Sequence, residues 1–285
     1  MLVRPLDVGA PFHVEATVRL LQRRAANRVD VWLDECYSRA LPTAAGLIAV
    51  EVRDHGSVDA PDVRYTLRGG SFGADFGAME RSLRRLLGAD SDPHLLSRVA
   101  AIDCGTAVSA DAHRALEATA LALRGVRIPR YPTLFEAFAN VVPFQQVSLD
   151  AGIAIVGRLV GRFGGEVRHG GRRYAAFPSA AAIAGADTAA LRACGLSARK
   201  AETLRNLARM VDSGSLSEAA LERSDSEEAA KILRGLPGIG PWSAALVLLR
   251  GLGRTDVFPP GDVGARRVLG GLLNLGADAG IERIA

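Results

Sequence analysis

LRGLPGIGPW, residues 233–242, sets two glycines and two prolines between an apolar helical segment and a second one, PWSAALVLLRGLG, that begins at 241. Leu233 and Leu236 close the first helix, and Pro237 breaks it. Gly238 and Gly240 are free to take positive φ, and neither carries a Cβ that would hold another backbone away. Pro241 opens the second helix at a position where its missing N–H costs nothing. Glycines ahead of a helix N-terminus expose amide N–H groups, and the helix dipole adds partial positive charge. Together these suit a phosphate. Taken alone, the ten residues are equally an ordinary turn between two packed helices.

Further along, DVFPPGDVGARRVL carries Asp262 twenty-two residues beyond Gly240, after a proline-stiffened stretch and at the start of another helix. An aspartate there caps the helix. A carboxylate beside a phosphate-gripping turn can also face a sugar and stabilise a developing oxocarbenium ion. Basic residues bracket the region: Arg234, Arg250, Arg254, Arg266 and Arg267, with Arg199 and Lys200 in another helical corner. Each is either a phosphate contact or a solvated surface charge.

The 285 residues, 48% hydrophobic and 23% charged, can bury a sizeable core, which excludes a disordered or collagen-like chain. The formal charge of +4 permits an anionic partner without demanding one. No apolar stretch reaches the roughly 18 residues of a membrane span, and MLVRPLDVGAP lacks the apolar region of a signal peptide. The expectation is a soluble, cytoplasmic protein with no membrane partner. Cys36, Cys104 and Cys194 are widely spaced and odd in number, so buried inert thiols are expected rather than a disulfide framework or metal cluster.

Two regions differ in pattern. VDVWLDECYSRAL (29–41), AGLIAVEVRD (45–54) and DVRYTLRG (62–69) alternate β-branched and aromatic residues between turn-rich stretches. FHVEATVRLLQRRA (12–25) and FGAMERSLRRLLG (76–88), with its stripe Met79, Leu83, Leu86 and Leu87, have helical spacing. From about residue 93 strand signals fade, and helices follow one another with Ser or Asp at their starts and Gly or Pro near their ends. The boundary is placed at 92/93, and GGRRYAAFPS (170–179) is expected to be a mobile loop.

LPGIGPWSA, the apolar helix after it and VFPPGD together resemble the helix-hairpin-helix (HhH-GPD) DNA glycosylase superfamily of base-excision repair, and within it the 3-methyladenine DNA glycosylase II (AlkA-like) family. PFQQVSLDAGIAIVGRLVGRFG (143–164) and residues 177–211 are similar to that family's core helices. The resemblance implies an α+β protein: a small TBP-like α/β domain over 1–92, then a mainly α-helical glycosylase domain over 93–285. It implies Asp262 as the catalytic aspartate. Gly238 and Gly240 become the hairpin glycines whose amides hold the DNA backbone, with Ser243 adding a phosphate contact. Backbone carbonyls of Arg234, Leu236 and Gly238 match those that hold a monovalent cation (Na or K) in the family. Gln146 falls in the loop that supplies a wedge for the gap left by a flipped nucleotide; the alternative is a hydrogen bond at a helix start. Trp242 and Leu246 fall at the base pocket, although Trp242, Ala245, Leu246 and Leu249 also share one core-facing helical side.

Trp242 stands where some relatives carry a Schiff-base lysine, and tryptophan cannot form one, so no lyase activity is expected. No cysteine follows Cys194, so the iron–sulfur cluster of other members is not expected. Leu246 and Val263 replace pocket tyrosines, Gly261 stands where a second acid precedes the aspartate, and the sequence ends at GIERIA (280–285), ahead of the family's tryptophan- and tyrosine-bearing last helix. The expected activity is a monofunctional glycosylase that flips alkylated purines of the 3-methyladenine type out of damaged double-stranded DNA, acting as a monomer on the nucleoid with no required cofactor. The alternative is a non-catalytic DNA-binding module with a degenerate pocket.

Overall fold

The structure, a computed structural model, describes residues 3–69, 76–101 and 109–272. Cys104 and GIERIA lie outside them.

Five antiparallel strands, β1 (Val3–Pro5), β2 (Val31–Leu33), β3 (Cys36–Thr43), β4 (Gly46–Asp54) and β5 (Val63–Arg68), form one sheet in the order β1-β5-β4-β3-β2. One face takes Tyr37, Leu41, Ile48, Val50, Val52, Tyr65 and Leu67 into a core shared with Val14, Val18 and Leu21 of α1 (Val14–Gln22) and Met79, Leu83 and Leu86 of α2 (Phe76–Leu86). The stripe read from 76–88 is therefore the buried side of α2, with Leu87 just beyond it.

The opposite face is also covered. Ala40 and Ala49 pack against Val167, Tyr174 and Ala176. The last three residues belong to, or directly follow, a hairpin of β6 (Glu166–His169) and β7 (Arg172–Ala175). The mobile loop expected at 170–179 is thus corrected. Gly170 (φ 56°) and Gly171 (φ 75°) form the two-residue turn that a tight hairpin needs. Its base is fixed by the Tyr174 hydroxyl, which donates to Glu51 at 2.6 Å. Coverage on both faces explains why Ile48 to Val52 are all buried rather than alternately so.

Helices then dominate: α3 (Leu95–Ala100), α4 (Ala110–Ala122), α5 (Leu134–Ala139), a 3₁₀ turn (Val142–Phe144), α6 (Leu149–Phe163), α7 (Ala180–Ala184), α8 (Thr188–Ala193), α9 (Ala198–Asp212), α10 (Glu218–Arg223), α11 (Ser226–Arg234), α12 (Pro241–Val247) and α13 (Val263–Leu272). The Ser and Asp start signals are real caps. Ser148, Ser179, Ser197, Ser217 and Asp225 each accept from the backbone N–H three residues on. Among the described residues no helix is long and apolar enough to cross a membrane. Cys36 and Cys194 are buried, and burial pushes both thiols up, away from the reactive thiolate.

A buried ionic clamp joins sheet to helices. Arg39 of β3 donates to Asp30 at 2.8 Å and to both carboxylate oxygens of Glu136 on α5 at 2.6 Å, while the Tyr37 hydroxyl also donates to Asp30. Burial opposes the guanidinium's charge, but the two carboxylates more than restore it and hold its pKa well above the usual arginine value.

Candidate nucleic-acid interface and catalytic site

The first helix ends two residues before the Leu236 end that Pro237 suggested. α11 ends at Arg234, and Gly235 closes it by donating its N–H to Lys231 and Ile232 carbonyls. The turn itself holds one bond, Ile239 N–H to the Leu236 carbonyl at 3.1 Å. The amides of Gly238 and Gly240, on either side, have no intrachain acceptor among the described residues. That leaves them for an outside acceptor.

The two glycines are required for different reasons. Gly238 has φ 84°, and a Cβ there would lie 2.3 Å from Thr203 Oγ1 of α9. The fold itself needs a glycine at this position. Gly240, the N-cap of α12, has ordinary extended backbone (φ −90°, ψ −179°), and a Cβ would meet nothing within 4 Å. The protein gives no steric reason for glycine at 240. A partner's backbone pressed against the turn would.

Asp262 sits at the start of α13 as expected. Its Oδ1 accepts the Ala265 N–H at 2.8 Å, which is the cap. Its Oδ2 accepts the Trp242 indole N–H at 2.8 Å. Both residues thus take the structural role weighed for them, cap and core packing, and they also bond to each other. Trp242 packs against the core and is only partly buried, leaving its ring nitrogen to orient the carboxylate. One oxygen of Asp262 is tied to backbone and the other to the indole, so the carboxylate is held in one plane. No sequence signal showed this contact, because the two residues lie on separate helices.

The stretch between them is pinned. After Val247 the helix widens into a π-type turn over Leu248–Leu252, a local change of pitch that breaks the even helical side supposed for Leu249. The Gly251 carbonyl of that turn accepts from Arg85 at 2.6 Å and from Arg130 at 3.2 Å. Arg250 donates to the Pro129 carbonyl at 2.8 Å, and Arg254 to the Ser224 carbonyl at 2.7 Å. Both arginines therefore tie backbone segments together instead of standing as solvated surface charges. Arg199, Arg234, Arg266 and Arg267 are exposed. Leu246 is partly buried against the core, and Val263 is exposed.

Ser243 is 3% exposed, and its hydroxyl accepts from the Gln145 side chain at 3.0 Å. It lies beneath the hairpin, so the phosphate contact implied for it is not the contact it makes here. The Gly238 carbonyl is likewise taken by Gln145, at 2.8 Å, and the Leu236 carbonyl by Ile239. A carbonyl oxygen carries two lone pairs, so each of these two keeps a second position for the monovalent cation that the resemblance implies. Among the described residues no group of three or more His, Cys, Asp or Glu could hold a metal. Gln146 is exposed at the tip between the 3₁₀ turn and α6. Its φ of 53° is left-handed. The helix-start bond weighed for it belongs instead to Ser148, which accepts from Ala151 at 3.2 Å.

Residues 140–284 match the HhH-GPD superfamily of base excision DNA repair proteins, and residues 3–131 match the AlkA N-terminal domain. The chain is 31% identical over 262 residues to DNA-3-methyladenine glycosylase 2 of Escherichia coli, covering 90% of this chain and 83% of that protein. It is 32% identical over 266 residues to a Mycobacterium tuberculosis protein named "Probable bifunctional transcriptional activator/DNA repair enzyme AlkA", covering 92% of this chain but 49% of that one. The chain thus spans about half the length of that relative. The solved structure of a 3-methyladenine DNA glycosylase from Archaeoglobus fulgidus superposes with a TM-score of 0.77 at 27% identity, over 100% of this chain and 90% of that one. The chain belongs to the HhH-GPD superfamily of base excision DNA repair proteins, in its AlkA-like 3-methyladenine DNA glycosylase II branch.

Proposed function

We propose that this chain is a monofunctional DNA glycosylase that removes alkylated purines of the 3-methyladenine type from double-stranded DNA. The observation that carries the reading is the Asp262 carboxylate, fixed by Trp242 and by the α13 backbone immediately beyond a hairpin with two free glycine amides. The hairpin amides and the exposed Arg234, Arg266 and Arg267 hold the strand. The damaged nucleotide swings out, because its glycosidic bond is otherwise buried in the stack. The bond from C1′ to the base nitrogen breaks, and its electron pair leaves with the base. Asp262 stabilises the sugar cation through space. Water then adds at C1′ and gives up a proton, for which the same carboxylate is the nearest acceptor. A base alkylated to a fixed positive charge leaves without a general acid, so the Asp262 carboxylate suffices for this chemistry.

Trp242 at the lysine position supports hydrolysis without strand cleavage. The protein acts as a monomer on chromosomal DNA in the cytoplasm. The test has two arms. Methylated duplex DNA is incubated with the protein and released bases are separated by chromatography; release of methylated purines is expected. Borohydride is then added during turnover. A trapped covalent protein–DNA adduct would overturn the monofunctional reading, and absence of any released base would overturn the enzymatic one.

A further inference from the structure

Lys200 and Thr203 stand one turn apart on α9; Lys200 touches the turn at 143–145 and Thr203 the hairpin. The Lys200 ammonium donates to the Gln145 carbonyl at 2.5 Å and to the Pro143 carbonyl at 3.1 Å. These are carbonyls at the end of the 3₁₀ turn, where a helix end leaves acceptors unsatisfied. Thr203 abuts Gly238 of the hairpin. Gln145 is held from its other side as well, since its side-chain amide donates to the Gly238 carbonyl and to Ser243. One residue thus receives a lysine on its backbone and sends its own side chain into the hairpin.

The next residue is Gln146. A left-handed φ in a glutamine is a strained conformation that persists only when its surroundings impose it. Here Lys200 and Gln145 impose it from one side, and the Ser148 cap imposes it from the other. The result is an exposed tip, with Gln146, Val147 and Leu149 presented to solvent. Val147 and Leu149 are each 40% exposed, so apolar surface flanks the glutamine.

We propose that Lys200 is a positioning residue that, through Gln145, locks the Gln146 tip at a fixed distance from the hairpin, so that gripping the strand at Gly238–Gly240 and filling the vacated stack with Gln146 are one rigid operation. Gln146 itself then touches the DNA, and Lys200 acts through it. The inference rests on the glycosylase reading for its biological role, but its geometry can be tested without catalysis.

The test uses the whole protein and a duplex with a tetrahydrofuran abasic site whose 3′ neighbour is 2-aminopurine. Insertion of the tip unstacks the neighbour and raises its emission. At saturating wild type the emission rises. With Lys200→Met the rise is at least about fivefold smaller, because two charge-assisted bonds that hold the strained tip are gone. Lys200→Arg, which can donate to both carbonyls, restores most of it. Affinity for undamaged duplex, carried by the hairpin and its arginines, stays within about twofold for all three proteins. Wild-type emission from Lys200→Met would overturn the proposal. A matching loss of undamaged-duplex affinity would also overturn it, since Lys200 would then support the fold in general. Release of methylated bases by the wild type is scored separately. If the emission pattern holds and no base is released, the enzymatic reading fails and the positioning role stands.

Discussion

Alanine at Gly238 and alanine at Gly240 have opposite expected consequences. At 238 two costs add. The backbone there has φ 84°, and a left-handed conformation costs an L-residue about 1–2 kcal/mol. The new methyl also falls 2.3 Å from Thr203 Oγ1 and 2.8 Å from its Cγ2, inside a packed contact. Overpacking of that kind costs about 1–3 kcal/mol, so Gly238→Ala loses on the order of 3 kcal/mol in total. Thr203→Ala removes both offending atoms and leaves the Thr203 Cβ position at 3.1 Å. In the Gly238→Ala background it recovers the packing part and leaves the backbone part. Gly240→Ala meets open space and ordinary backbone, so its stability changes by less than about 1 kcal/mol, the N-cap preference for Gly over Ala. Its methyl projects where a DNA backbone approaches, so duplex affinity falls by about tenfold or more, as for a displaced phosphate contact. Urea denaturation gives the stabilities, with the four Gly238/Thr203 combinations treated as a double-mutant cycle, and duplex binding at fixed salt gives the affinities. Additive effects of Gly238→Ala and Thr203→Ala would refute the packing argument. Wild-type affinity in Gly240→Ala would refute the use assigned to that glycine.

Trp242→Phe removes the indole donor and frees one oxygen of Asp262. A hydrogen bond to a charged group is worth about 1.5–3 kcal/mol, so single-turnover base release should fall by about tenfold or more; an unchanged rate would deny the indole its orienting role. Arg39→Met leaves Asp30 and Glu136 buried without a cation, which costs about 3–5 kcal/mol and should lower the urea midpoint; a midpoint within error of wild type would show the clamp to be dispensable. The Tyr174 hydroxyl, buried and bonded to the Glu51 carboxylate, is pushed up to about 12. Its raised value means stability that is complete below the free tyrosine pKa of about 10 and lost as pH climbs toward 12. Wild type should therefore lose stability relative to Tyr174→Phe between those pH values, on the order of 2 kcal/mol, and parallel pH profiles would contradict the bond.

Much of the site could be read from one short stretch because its signals are local. The hairpin glycines, the Pro241 start and the Asp262 cap each follow from backbone rules that act within a few residues. What escaped was fixed by distant partners. The β6–β7 hairpin offers only Val167 and Tyr174 as inward residues, and the surface that buries them belongs to β3 and β4, more than a hundred residues earlier. Its Gly-Gly turn, taken as a loop, was the available signal. Lys200, Arg250 and Arg254 read as phosphate contacts or solvated surface charges, and the structure places their side chains on backbone carbonyls. Burial makes the charge of Lys200 costlier, lowering its pKa, and composition carries no trace of that. Ser243 matched a family position, yet its hydroxyl faces inward because Gln145, overlooked beside Gln146, claims it.

Asp262→Asn is the most direct test, since asparagine keeps the shape of the side chain and an oxygen to cap Ala265 while removing the negative charge. Base release from methylated duplex DNA under single-turnover conditions, with duplex affinity measured in parallel, is the measurement. Release by wild type, a fall of about a hundredfold or more in Asp262→Asn and unchanged affinity are the expected results. Equal release by the two proteins would contradict the role given to the carboxylate, and with it the central claim.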